Sequence, residues 1–252
     1  MLSIPLFKQT IKSNWVMWTA MTALMTIMCI QFSAMKMTQS LLFTIFYGMM
    51  TTILPGIYVL VTSNKLIASQ VDRGSMAYVL STPIKRSTVV ITQIIFMVSS
   101  LILMFTIQTA AHIAVNQIST LSLNSLSYNQ LSGDLTTAMI IKVNLSALLV
   151  CIAMAGVCFM FSGIFNTTKF TIGLSGIFVG ESILANMLAM FGSLGVKGLD
   201  NFKYATICSF YDYQSVLTSN NDWIIKMIFP LAIAIITFLI GGIVFRKKDL
   251  PL

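Results

Sequence analysis

The 252 residues are 57% hydrophobic and 9% charged, with a mean hydropathy of +0.89. Soluble domains carry about 25% charged residues, so this chain has little with which to cover a water-facing surface. The same figures exclude a disordered chain, and 4 Cys in this length exclude a disulfide scaffold.

Uncharged runs longer than about 18 residues recur along the chain, the signature of helices that cross a bilayer. Six spans follow in order: Trp15–Met35, Leu41–Thr62, Val89–Ala111, Val143–Phe165, Phe170–Gly192 and Met227–Phe245. At 1.5 Å rise per residue each reaches most or all of a hydrocarbon core of about 30 Å. The expected fold is therefore all-α and polytopic: residues 1–252 as a single transmembrane domain of six spans, led by an amphipathic interfacial helix.

The net charge of +8 reflects topology rather than nucleic-acid binding, because the 15 Lys and Arg fall almost entirely between the apolar runs. With both termini inside, the inner set is Lys8, Lys12, Lys65, Arg73, Lys85, Arg86, Lys169, Arg246, Lys247 and Lys248. The outer set is only Lys36, Lys142, Lys197, Lys203 and Lys226, and four acids (Asp134, Asp200, Asp212, Asp222) join it. That bias assigns both termini to the cytoplasm of a multi-pass plasma-membrane protein. The opening MLSIPLFKQTIKSNW lacks the apolar core and small-residue cleavage site of a signal peptide.

The opening segment reads as an interfacial helix, with Ile4, Phe7 and Ile11 on one face and Lys8 and Lys12 on another. Trp15 and Trp18 then mark headgroup depth at the start of span one. Pro55 can kink span two. Gln93, Gln108 and His112 of span three are expected as hydrogen-bonded core residues, and Ala147, Cys151 and Ala155 form a close-packing face on span four. The outer loop 193–223 holds Phe202, Tyr204, Phe210, Tyr211 and Tyr213, which suits short helices dipping into the outer leaflet.

Several chemistries are absent. No GxxxxGK[ST] loop can cradle a nucleotide, no HExxH occurs, and one His cannot build a His-based metal site. The cysteines Cys29, Cys151, Cys158 and Cys208 form no CxxC. No catalytic, metal or cofactor residues are expected in this chain.

The strongest local signal is the inner loop 63–88, and within it QVDRGSMAYVLSTPIKRSTVVITQ. Gly74 and Pro83 bracket a stretch in which Met76, Val79 and Leu80 fall on one helical face. Asp72 and Arg73 precede it, and Lys85 and Arg86 follow it. A helix of one to two turns would carry charge at both ends and an apolar ridge between, suited to a partner's groove. A solvated connector held at the headgroups fits the same residues on physics alone.

That run resembles the inner loop of type-2 ABC exporter permeases: an acid, then Gly-x-Met/Leu-x-x-Leu-Leu-Ser-x-Pro-x-x-Arg. The ending GGIVFRKKDLPL resembles the family's closing Phe-x-Arg-Arg-Asp-Leu, and FKYATICSFYDYQSVLTSNN resembles its aromatic segment before the last span. Val79-Leu80 stands where Leu-Leu is common, and Lys247-Lys248 replaces a pair richer in Arg. Within the family, the chain's size and Ile/Lys-rich composition are similar to permease subunits of phenol-soluble-modulin exporters of Gram-positive bacteria. The resemblance implies two separate ABC ATPase subunits that bring ATP and Mg, with Asp72–Arg86 as the coupling element. It further implies a second permease copy or a sister permease, and an amphipathic or hydrophobic cargo such as a peptide toxin.

Glu181 is the one acid inside a span, with Ser175, Ser182 and Asn186 as polar companions. A costly intramembrane carboxylate points to a substrate path or gate, or to interhelical hydrogen bonding. Gly173, Gly176 and Gly180 permit close helix approach, either within one subunit or at a dimer seam. A stand-alone channel or secondary transporter, and a non-transporting scaffold or immunity protein, are the alternative functions.

Overall fold

The computed structural model describes residues 2–34, 42–81, 84–124, 136–193, 198–211, 215 and 222–248. These are helical throughout apart from turns: α1 (Ile4–Ala34), α2 (Thr51–Leu66), α3 (Ala68–Asp72), α4 (Ser75–Ser81), α5 (Arg86–Asn124), α6 (Thr137–Ile164), α7 (Thr168–Ser193) and α8 (Asp222–Lys247). A π-helical stretch, Leu42–Met50, runs directly into α2, and two 3-10 turns, Asp200–Ala205 and Ile207–Phe210, follow α7. Six helices are long and apolar enough to cross a membrane, and each contains one of the six spans read from the sequence or most of it.

The expected interfacial helix is not a separate element. Residues 4–34 form one continuous α1, because no Gly or Pro interrupts the backbone ladder after Pro5. Its inward stripe is also different: Leu6, Thr10, Asn14, Met25 and Cys29 are buried, while Ile4 and Ile11 are exposed. Phe7 alone of the expected apolar face meets an aromatic, Phe96 of α5, edge-on at 6.1 Å.

Helix α1 runs parallel to α5 and is joined to it by polar contacts spaced along its length. The Ser3 amide donates to Thr92 Oγ1 (3.1 Å), the Thr10 hydroxyl to Gln93 Oε1 (3.3 Å), and the Trp18 indole to the Ser100 carbonyl (2.9 Å). Further along, Gln108 donates to Cys29 Sγ at 3.4 Å. In an apolar solvent such groups must find one another, so they fix register where greasy surfaces could slide.

The most deeply buried helix is α6. Helix α8 approaches it closely at glycine: a Cβ on Gly163 would lie 2.6 Å from the Gly241 carbonyl, and one on Gly241 would lie 2.9 Å from Met160 Cα. Gly156 is equally crowded by Thr237 and Ala234. The other side of α6 holds α2, where Pro55 leaves the Thr51 carbonyl without its helical donor. The Cys151 thiol supplies a replacement at 3.8 Å, which explains a cysteine at this depth. All four cysteines are free and buried.

Ser3, Lys248 and the elbow between α3 and α4 gather at one end of the bundle, through contacts at Ser3–Thr92, Asp72–Thr168 and Arg86–Lys248. That end carries the ten cations of the expected inner set and is called the basic end below. Lys142 over the Trp223 ring, 5.7 Å from its centroid, lies at the opposite end. Outward surfaces of α8 are Ile- and Leu-rich, with Ile228, Ile235, Leu239 and Ile243 exposed, as a lipid-facing helix requires.

Candidate functional site

The expected short helix of the inner loop is present as α4, and Gly74 precedes it with φ of 70°. That left-handed turn is why a glycine stands between α3 and α4; an L side chain is strained there. The Gly74 amide closes on the Val71 carbonyl (3.0 Å) and its own carbonyl accepts from Ala77 (3.1 Å), so the chain reverses without losing hydrogen bonds.

Two caps tie this element to the spans. The Ala68 amide, an orphan donor at the start of α3, is met by Ser162 Oγ of α6 at 3.0 Å. Asp72 in turn accepts from the Thr168 amide (3.1 Å), placing a carboxylate at the N-terminus of α7 where the helix dipole favours it. The α3–α4 elbow is thus bonded to α6 on one side and α7 on the other.

After α4, the Arg86 guanidinium donates to the Lys248 carbonyl (2.7 Å). The Lys248 ammonium then donates to the carbonyls of Ile164 and Gly163, closing the C-terminal end of α6. Partial burial there lowers the Lys248 ammonium from the usual lysine value. Two of the segments that carried the family resemblance, the inner loop and the basic C-terminus, therefore touch.

The apolar ridge is arranged differently from the expectation. Met76 is fully buried in the bundle's own core and serves as the anchor of α4, whereas Tyr78 stands 81% exposed. Val79 packs partly buried against the core. Tyr78 was missed because helical spacing identifies an apolar face without telling which side of a short helix meets its own protein. Arg73 and Lys85 are exposed, as charged flanks should be. Pro83 and the Leu80 side chain lie outside the described residues.

Within the spans, the expected polar stripe on α7 divides into two. Ser175 and Ser182 are fully buried, and Asn186 donates to the Gly48 carbonyl at 2.8 Å, bracing the π-helical stretch. Glu181 does not join them; it is exposed on the outer face of α7, beside Gly180. There it lines a shallow groove of about 440 Å³ with Gly176, Leu184 and Phe202. Gly173 and Gly180 have open space where a Cβ would be, and Gly176 has only Leu60 at ordinary contact distance. The within-subunit packing role therefore belongs to Gly156, Gly163 and Gly241, not to the three α7 glycines.

Gln93, Gln108 and His112 are buried and hydrogen-bonded, as expected. His112 belongs to a network joining three helical segments: Asn144 donates to the Tyr47 hydroxyl (3.1 Å), which lies 2.6 Å from His112 Nδ1. The Tyr47 hydroxyl thus joins Asn144 of α6 to His112 of α5, with the direction of its bond to His112 set by the imidazole tautomer. No cluster of three or more metal-ligating side chains occurs among the described residues.

No family model matches the chain, and no curated protein matches it.

Proposed function

We propose that this chain is the membrane-spanning subunit of an ATP-driven exporter, built on the plan of the type-2 ABC permeases. Two separate ATPase subunits would supply ATP and Mg at the basic end, and a second copy or sister permease would complete the pathway. The cargo would be amphipathic or hydrophobic, such as a peptide toxin leaving a bacterial cell, because the spans offer little fixed charge for an ion.

One observation carries this reading. Helix α4 is anchored by buried Met76, bonded through the preceding elbow to α6 and α7, and offers exposed Tyr78 outward. A force applied to α4 is thereby passed to two spans at once, which is what coupling an external ATPase to a rigid-body transition demands. The basic end would then be cytoplasmic, in agreement with the charge bias.

The outer face of α7 supports a dimer. An ionisable carboxyl among Gly173, Gly180, Ile177 and Leu184 is costly against lipid and far less so against a second subunit or a polar pathway. A proton-coupled carrier is the competing reading, favoured by the Tyr47–His112–Asn144 network.

The deciding experiment is co-purification with any ABC ATPase encoded beside this protein, followed by hydrolysis assays in lipid nanodiscs with and without the chain. A stable complex whose hydrolysis responds to the permease supports the exporter. Cargo movement driven by a proton gradient, with no ATPase bound, would replace it with the carrier.

A further inference from the structure

At the basic end, α1 on one side and the run from α2 to α4 on the other enclose a cavity of about 380 Å³. Among the described residues, its lining contains two cations, Lys65 and Arg73, and no carboxylate. Asp72 neighbours Arg73 in sequence, but its carboxylate is bonded to the Thr168 amide on α7 instead. The cavity is therefore an electropositive recess at the edge of an apolar bundle.

The remaining walls say more about what it accepts. Asn14 is only 3% exposed, and its amide nitrogen is used by the Thr10 carbonyl at 3.0 Å. Its carbonyl oxygen and that of Gln70 are enclosed, whereas the side chains of Gln9, Ser13 and Ser75 stand exposed on the lining. Amide and hydroxyl groups accept as well as donate, so a partner that brings donors along with negative charge uses more of this wall. A bare phosphate dianion fits the cations and neglects these polar side chains. A phosphate ester that carries hydroxyl groups fits both.

We propose that this cavity binds the headgroup of an anionic phospholipid with a polyol phosphate, of the phosphatidylglycerol type. Lys65 and Arg73 take the phosphodiester, and Gln9 and Ser13 accept from the headgroup hydroxyls. Basic recesses at the membrane face of helical bundles are suited to this class of ligand. Ser75 and Val79 of α4 form part of the wall, so occupancy bears on the position of that helix. The site stands on its own residues and does not depend on the exporter reading.

The test is native mass spectrometry of the full chain in an uncharged maltoside detergent, titrated with phosphatidylglycerol and with phosphatidylcholine. One phosphatidylglycerol per chain is expected, held at least tenfold more tightly than phosphatidylcholine. Arg73→Gln, whose exposed position protects the fold, should weaken that binding severalfold, and Lys65→Gln with Arg73→Gln should weaken it tenfold or more. Lys8→Gln with Lys12→Gln removes two exposed cations of α1 that do not line the cavity, and should leave binding unchanged. Equal binding by the Lys65/Arg73 variant overturns the site, and an equal loss in the Lys8/Lys12 variant reduces it to general surface charge. Soluble glycerol phosphate is the second arm. If it displaces the lipid at matched concentration, the ligand is a free phosphate ester and the lipid assignment fails.

Discussion

The Arg86 guanidinium donates to the carbonyl of Lys248, 162 residues further on, at 2.7 Å. Lys248 passes the connection onward by donating to the last carbonyls of α6, which have no helical partner of their own. The start of α5, the end of α8 and the end of α6 are thus closed by two cations, each bonded to main chain. Neither contact is an ion pair, so neither is strongly weakened by salt in the way surface pairs are.

Arg86→Ala should therefore release the C-terminal segment and cost about 1–2 kcal/mol, the range for a partly exposed hydrogen bond from a charged donor. The four buried free thiols supply the readout, since a thiol-reactive dye reports their exposure as the chain melts in detergent. An unchanged melting temperature at low and high salt would mean that the tail is held by other contacts.

Much of this arrangement was legible before any coordinates. Span positions followed from long uncharged runs, whose length the bilayer dictates, and Ser3 and Lys248 lie at one end of the bundle. The helix after Gly74 was readable as one of two possibilities, since its apolar spacing also fitted a solvated connector, and the structure has the helix. What could not be read is direction around a helix axis. In a membrane chain apolar residues cover the lipid face and the core alike, so periodicity does not separate Ile4 from Leu6, or Met76 as anchor from Met76 as ridge. Glu181 was readable as unusual, yet its outward position depends on how α7 is rotated against α2. The Gly156, Gly163 and Gly241 contact went unseen for a related reason. Its glycines lie on two helices far apart in sequence, whereas Gly176 and Gly180 form a familiar spacing on one.

Those two sets of glycines give a sharp comparison. Gly163→Ala forces a methyl group against the Gly241 backbone, and overpacking of this kind costs about 1–3 kcal/mol. Gly173→Ala and Gly180→Ala add the same methyl into open space and should leave the melting of the isolated chain within about 0.5 kcal/mol. If α7 lines a dimer seam, the second pair instead shifts the monomer–dimer balance, measurable by single-molecule photobleaching in liposomes. A melt in which Gly163→Ala behaves like Gly173→Ala would contradict the close approach of α6 and α8.

Glu181 is the residue on which packing and pathway roles part. Because it stands outside the chain's own core, Glu181→Gln should leave the thiol melt unchanged, unlike loss of a buried hydrogen-bonding residue such as Asn144. Export of an amphipathic peptide from loaded cells should nevertheless change severalfold if the face borders a substrate path or a working seam. Wild-type export together with a wild-type melt would leave the carboxyl with no part in transport.

The coupling assignment depends on separating Met76 from Tyr78, two residues apart and opposite in burial. Met76→Asp places a carboxylate in a fully enclosed apolar site, and an unpaired buried charge costs several kcal/mol, so the chain itself should be destabilised. Tyr78→Asp changes only an exposed side chain and should fold as well as the wild type. If α4 is what an ATPase grips, the Tyr78 variant should lose co-purification and the stimulation of hydrolysis while its melting curve stays put. Should Tyr78→Asp retain full ATPase binding and stimulation, the exposed face of α4 is not the contact, and the ATPase, if one binds at all, engages the basic end elsewhere.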